Sequence, residues 1–330
     1  AGFHPGSRLS LADMQVLASR ITEFYHRHGY FVARAYLPAQ QVTNDVVNIA
    51  VSEGQYGKIT LRNSSNLSDT LAQDKLSGLN SGDPITIQPL ESRLLLLSDV
   101  PGVHVSSTLA PGASPGRSDL LVDVTPGQRV TGSVDADNAG NPYTGEYRLG
   151  ATVNLNNPLG RGDVASLRVL MSGPGLRYGR ASYQMEFGRA TAGVAYSKLD
   201  YRLGRQFRTL GAHGSAEVAS IYGFYPLLRS RDTNLTAGLV YEDKTFQDVI
   251  DLFHSVSDRK AHVATAQLYG SHQDRLGGGG VTSFFVSLSA GSLDIRTPAV
   301  RAADAVTARS NGAYSKLWFN VARLQRVTDL

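Results

Sequence analysis

The sequence predicts small α+β modules followed by a large antiparallel β region. Three observations carry this. Capped, amphipathic helical segments occur only before residue 129. Beyond it, strand-length runs follow one another to the end, separated by turn formers. Within those runs apolar and polar residues alternate, so each strand has two unlike faces. Composition agrees: 34 Gly with 15 Tyr and 11 Phe, against 3 Met and 1 Trp, suit many strands joined by tight turns.

Residues 9–28 read as a helix. Ser10 and Asp13 have capping-box spacing, and Leu11, Met14, Leu17, Ile21 and Phe24 form an apolar stripe. Gly29 suits the left-handed position after a helix. Strands follow at 31–37 and 42–51, so this segment is the tail of a small α+β module. The pattern then repeats in full. A strand at 56–61 precedes helices at 67–79 and 89–97. Pro89 sits in the first turn of the second, where a missing amide hydrogen costs nothing. Asp99–Gly102 is a turn, and strands at 103–109 and 120–124 flank the loop PGASPGR. The order β-α-α-β-β assigns residues 1–54 to the end of a first module and 55–126 to a complete second one.

From 127 to 330 the chain reads as strands alone. They are predicted at 129–138, 145–155, 163–172, 178–187, 190–203, 212–224, 233–247, 258–272, 280–291 and 312–326. With no crossover helix between them, they pair antiparallel. In the first runs Leu149, Ala151, Val153 and Leu155 oppose Arg148, Gly150, Thr152 and Asn154. Leu235, Ala237, Leu239 and Tyr241 oppose Asn234, Thr236, Gly238 and Glu242 in the same way. A soluble sandwich and a membrane barrel both produce such strands. Length favours the barrel, because several runs reach the ~9–11 residues of a tilted membrane strand. Connections favour it too: turns at 156–162 and 226–232 are short, whereas those at 248–257 and 292–311 are longer and more polar.

Other classes of function find little support. Net charge is +4 with the basic residues scattered, which makes no case for nucleic acid. There is no Cys, so thiolate chemistry, disulfides and Cys-based metal sites are excluded. The eight His have no metal-ligand spacing, and no nucleophile–base arrangement stands out. No cofactor or metal is expected, and the chain does not read as an enzyme. Gly277–Gly280 lacks P-loop spacing and reads as a turn. Asn66 and Asn234 open glycosylation sequons of a kind common by chance. No apolar run approaches the ~20 residues of a membrane helix. The chain opens at Ala1 without Met and closes at Leu330 directly after a strand-like run. It is therefore expected to be part of a longer protein.

Several stretches resemble one family in order and spacing. They are LESRLLLLSDVPGVHVSSTLAPG (90–112), VDADNAGNPYTGEYRLGATVNLNNPLGRGD (134–163), FYPLLRSRDTNLTAGLVYE (224–242), GGGGVTSFFVSLSAGSLD (277–294) and YSKLWFNVARLQRV (314–327). The chain resembles the transporter component of two-partner secretion, typified by the haemolysin and filamentous-haemagglutinin secretion pores of the Omp85 superfamily. That resemblance implies periplasmic POTRA domains and a sixteen-strand outer-membrane β-barrel, of which about ten strands lie in this chain. It implies a large secreted exoprotein as partner, captured unfolded and passed to the cell surface through a monomeric pore held in outer-membrane lipid. The family's plug helix, its last strands and its lumen loop with a Val-Arg-Gly-Tyr-type motif are absent from these residues.

On this reading the polar barrel face lines a conduit, with Glu146, Arg148, Arg168, Arg180, Glu186, Glu242 and Lys244 carrying its charge. Alternatively, those charges pair across neighbouring strands and stabilise the wall. Client capture by strand addition points to Leu90, Leu94, Leu97, Val103 and Val105, which otherwise cover the small module's core. Tyr222, Phe224 and Tyr225 are candidates for an interfacial aromatic girdle. Competing readings are an assembly factor of the same superfamily and a soluble sandwich adhesin. A passive porin is disfavoured by the N-terminal modules.

Overall fold

The computed structural model describes residues 9–42, 46–173 and 175–328. Helix α1 (Leu11–Arg27) begins as its sequence dictates. The Ser10 hydroxyl accepts from the Asp13 amide at 3.2 Å, and the Asp13 carboxylate accepts from the Ser10 amide at 2.9 Å. Hydrogen bonds from the Ser10 hydroxyl and amide hold the Asp13 carboxyl below the usual range. Gly29, at φ 90°, follows the helix in a left-handed conformation. The predicted stripe is only partly covered: Ala18 is buried, Met14, Leu17 and Ile21 are half-buried, and Leu11 and Phe24 are exposed. Strands β1 (Arg34–Tyr36) and β2 (Ala50–Ser52) pair antiparallel and are shorter than predicted. Residues 43–45 of the predicted 42–51 strand lie outside the described residues.

The second α+β module follows the predicted order. It comprises β3 (Gln55–Asn63), α2 (Asp69–Leu76), α3 (Ile87–Ser98), β4 (Val103–Pro111) and β5 (Arg117–Pro126). Strand β5 lies between β3 and β4 and runs parallel to β3. Its alternate residues Leu120, Val122 and Val124 are fully buried, as are Tyr56, Ile85 and Leu97. Removing six such side chains from water is the main stabilising term in so small a module.

By contacts the chain divides into two compact units. One takes the residues up to Ser64, Lys75–Ser98 and His104–Thr125; the other takes Ser65–Asp74, Asp99–Val103 and Pro126 onward. The second unit is built on a single sheet of ten strands. They are β6 (Val130–Asp137), β7 (Arg148–Asn156), β8 (Val164–Met171), β9 (Leu176–Phe187), β10 (Ala190–Arg202), β11 (Ala212–Arg229), β12 (Thr233–Ile250), β13 (Ser255–Asp274), β14 (Gly280–Ile295) and β15 (Gly312–Gln325). Each pairs antiparallel with its neighbour in sequence, as an up-and-down meander, and β6 and β15 are the edges. Every predicted strand is present.

Two expectations fail. The 248–257 connection is a tight 3₁₀ turn, Asp251–Phe253, because β12 and β13 run 18 and 20 residues and consume the rest. The 292–311 connection holds a helix, α4 (Pro298–Val306), so helical structure does not stop at residue 129. Its carboxyl-terminal end is fixed by Asp304, which accepts from the Ser310 hydroxyl (2.6 Å) and the Asn311 amide (3.0 Å). Those bonds hold the Asp304 carboxyl below its ordinary range.

One connection is unusually ordered. Asn157, Pro158, Leu159, Gly160, Arg161, Gly162 and Asp163 join β7 to β8, with Asn157 and Asp163 fully buried. Asp163 accepts from the amides of Leu159 and Arg161 and from the Tyr183 hydroxyl at 2.9 Å. Asn157 accepts from the Gly162 amide at 2.8 Å and donates to Asn66 Oδ1 at 3.0 Å. Asn66, read above as a sequon, donates its own amide to the Asn157 carbonyl at 2.6 Å.

Candidate functional site

In an antiparallel sheet, directly opposed residues point to the same side. The register therefore sorts the ten strands into two faces. One face holds the row Met185–Ala192–Gly223–Leu239–Ala266–Leu288–Leu317, apolar across every strand from β9 to β15. Its members and neighbours are uncovered: Leu149 is 52% exposed, Leu167 56%, Val194 53%, Ile221 58%, Leu239 68% and Leu288 56%. No second sheet covers that face among the described residues. A soluble sandwich would bury it, so the sandwich reading is corrected here.

The apolar face also has an upper limit. Along β10 it runs Ala190, Ala192, Val194, Tyr196 and then turns charged at Lys198, Asp200 and Arg202. The row Lys198–Glu217–Thr245–Lys260–Asp294 continues that collar over β10 to β14. Lys198 and Glu217 are ion-paired at 2.8 Å. Strand length explains the collar. At 18 residues, β11 and β12 are each about 60 Å long and rise ~45 Å when tilted by ~40°, well past a ~25 Å apolar band.

The opposite face is polar. Arg148, directly across from Asp137, donates to it from Nε at 2.8 Å. Arg168 on β8 reaches past β7 to Asp135 on β6 at 3.2 Å and donates to Thr152 Oγ1 at 2.9 Å. Gly150 makes room for that bridge, since a Cβ there would lie 2.5 Å from the Asp135 carboxylate. Arg180 stands directly opposite Arg168 and has no ion pair among the described residues. Glu186 accepts from Thr191 Oγ1 at 2.8 Å, and Glu242 and Lys244 pair with each other at 2.8 Å. Glu146 lies before β7 rather than in it and is held by Arg205 at 2.8 Å. Sequence alternation put Arg148, Arg168, Arg180, Glu186, Glu242 and Lys244 on one face. It did not pair Arg148 with Asp137 or Arg168 with Asp135, because alternation assigns a face but not the register between strands.

An aromatic row crosses the same polar face. Ring centroids run Tyr222–Phe224 (5.6 Å), Phe224–Tyr269 (6.4 Å), Tyr269–Phe285 (6.1 Å) and Phe285–Trp318 (5.1 Å). Gly238 lets Phe224 lie over β12, because a Cβ there would sit 2.6 Å from the ring. Tyr222 and Phe224 therefore do not belong to an outward girdle; only Tyr225 does, with the Arg189 guanidinium 5.4 Å from its ring centre. Tyr183, Tyr196 and Tyr241 also point outward with Tyr225.

In the second α+β module, Leu97 is fully buried and Leu90 nearly so, while Leu94, Val103 and Val105 are half-buried. Leu90 and Leu97 fill the core and are removed from the client-facing surface predicted for them.

The sequence of strands, faces and preceding modules has a counterpart among known proteins. The model for the haemolysin secretion/activation proteins ShlB/FhaC/HecB matches residues 116–328, and that for the ShlB-type POTRA domain matches residues 2–54. The chain belongs to that family. HuxB of Haemophilus influenzae, a heme/hemopexin transporter, is 33% identical over 297 residues, 88% of this chain and 52% of HuxB. The outer membrane transporter CdiB of Dickeya dadantii is 25% identical over 201 residues, 58% of this chain and 35% of CdiB. The solved structure of CdiB from Escherichia coli superposes with a TM-score of 0.65 at 22% identity, covering 86% of this chain and 53% of that one, and shares the fold. The chain spans about half the length of the curated relatives it matches. As a member of this two-partner secretion family it is an outer-membrane protein with its POTRA region in the periplasm. The chain enters β6 from the periplasmic side, so the β7–β8 turn marks the periplasmic rim and the collar the outer one.

Proposed function

We propose that the protein is the outer-membrane pore of a two-partner secretion system. It takes up an unfolded exoprotein through its POTRA modules, residues 1–54 and 55–126, and conducts it to the cell surface. The two-faced sheet carries this reading: one face apolar across seven strands, the other lined with paired charges. The apolar face meets outer-membrane lipid, and the polar face lines the conduit of a monomeric pore. Glu146, Arg148, Arg168, Arg180, Glu186, Glu242 and Lys244 supply its charge. Mixed, mostly neutralised charge lets an extended chain pass without being trapped. Client segments add to the edge strand β4 at Val103 and Val105, with Leu94 on α3 as a further half-buried candidate contact.

Single-channel recording on the intact protein in planar bilayers tests the lining. Arg148 is neutralised by Asp137, whereas Arg180 has no counter-ion among the described residues. Arg180→Ala removes an unpaired cation and Arg148→Ala unmasks the Asp137 carboxylate, so each takes one positive charge from the lumen and is expected to shift selectivity toward cations. Equal and negligible effects would place both side chains outside the conduit.

A further inference from the structure

The outward face carries a second feature on strands β9 to β12, where a polar groove stands directly above an apolar hollow. The groove, about 520 Å³, is lined by Arg177, Lys198, Asp200, Arg202, His213 and Ser215. The hollow, about 610 Å³, is lined by Ala181, Val194, Tyr196, Ala219, Ile221 and Tyr241. Both volumes fall within the ~300–1,000 Å³ of small-ligand sites.

The two share one side of the sheet. Arg177 lies across from Asp200, and Arg202 lies across from His213. Free guanidinium donors, rather than net charge, favour an anion. Lys198 is neutralised by Glu217, but Arg177 and Arg202 have no ion-pair partner among the described residues. Asp200 faces the same groove and Asp251 stands beside His213, so two carboxylates offset the two free guanidinium groups in net charge without pairing with them. His213 lies 3.8 Å from Asp251. Arginine forks suit phosphate, which they bind through paired donors. In the hollow below, Ala181 and Ala219 flank Tyr196 in one row of the sheet, and their small side chains leave space on either side of that ring; Asp243 also lines it.

We propose that β9 to β12 form a binding site for a phosphorylated glycolipid of the outer leaflet. Its phosphate sits between Arg177 and Arg202, and an acyl chain lies along the Ala181–Ala219 hollow. The position at the outer end of the apolar face selects an outer-leaflet lipid over an inner-leaflet one. The inference rests on the reading that the apolar face meets lipid.

Native mass spectrometry of the intact, detergent-solubilised protein tests it, with lipid A bearing two phosphates, its dephosphorylated form, phosphatidylglycerol and inorganic phosphate as probes. The diphosphoryl form is expected to be retained, and the Arg177→Ala/Arg202→Ala variant to lose about a hundredfold in affinity, roughly tenfold for each charge-assisted contact removed. Heat-modifiable gel mobility, unchanged in the variant, certifies that the barrel still folds. Equal retention of the dephosphorylated lipid, equal binding by the variant, or binding of inorganic phosphate as tight as that of the lipid would each overturn the site. Quenching of a tryptophan placed at Leu239 by brominated acyl chains separates the two levels. Without quenching the lipid-facing reading itself fails; with it, only the phosphate site does.

Discussion

Asp163 shows how one buried carboxylate can organise a rim. It has no exposed surface and satisfies two turn amides and the Tyr183 hydroxyl. Each buried donor left unmet costs ~1–3 kcal/mol. Asp163→Ala is therefore expected to lower the urea midpoint of the vesicle-folded protein clearly, and Tyr183→Phe by the equivalent of only ~1 kcal/mol. Matching midpoints for the two variants would remove Asp163 from this role. Gly150 is the second such residue. Its missing side chain admits the Asp135 carboxylate toward Arg168, so Gly150→Val should break that bridge. Loss of coupling in an Asp135→Ala/Arg168→Ala double-mutant cycle made on the Gly150→Val background would confirm it; unchanged coupling would refute it. Neither residue was legible as such. Alternation assigns a face, but a bond that skips a strand, or a carboxylate sunk in a turn, depends on register and turn geometry that one sequence does not contain.

At the scale of elements the strands were legible because a period of two survives burial, lipid and water alike. The helices before residue 129 were legible through caps, and Ser10 with Asp13 forms the box that its spacing implies. Helix α4 was missed. Its segment is nine residues of Ala, Val, Arg and Asp with one Pro, too short for a periodic signal. Its end is fixed by Asp304 bonding to Ser310 and Asn311, farther along the chain than ordinary capping reaches. The Asp304 carboxyl is depressed by the Ser310 hydroxyl and the Asn311 amide. A depressed folded-state value means that this staple contributes fully above the ordinary carboxylate range and is lost as pH falls through the depressed value. Trypsin cleavage at Arg301 and Arg309, assayed at neutral pH, is thus expected to be faster in Asp304→Asn than in the native protein. Equal cleavage would mean that the carboxylate does not hold the helix.

For the whole molecule, the sheet's two faces decide what it does. Family resemblance and alternation together gave the strand order, the polar face and the outer membrane. They did not reveal that the aromatic row Tyr222–Phe224–Tyr269–Phe285–Trp318 runs on the polar side, since aromatic residues in a barrel sequence fit either a girdle or a lumen wall. They did not separate the apolar band from the charged collar either, because both occupy one parity of the same long strands. Nitroxide labels at Leu239, Ser287 and Glu217 in the intact, membrane-reconstituted protein distinguish a lipid-facing band from a watery lumen and collar. A lipid-facing Leu239 label collides with oxygen but not with a water-soluble nickel chelate, whereas labels at Ser287 and Glu217 collide with the chelate. A Leu239 label shielded from oxygen, or all three labels behaving alike, would contradict the lipid-facing band.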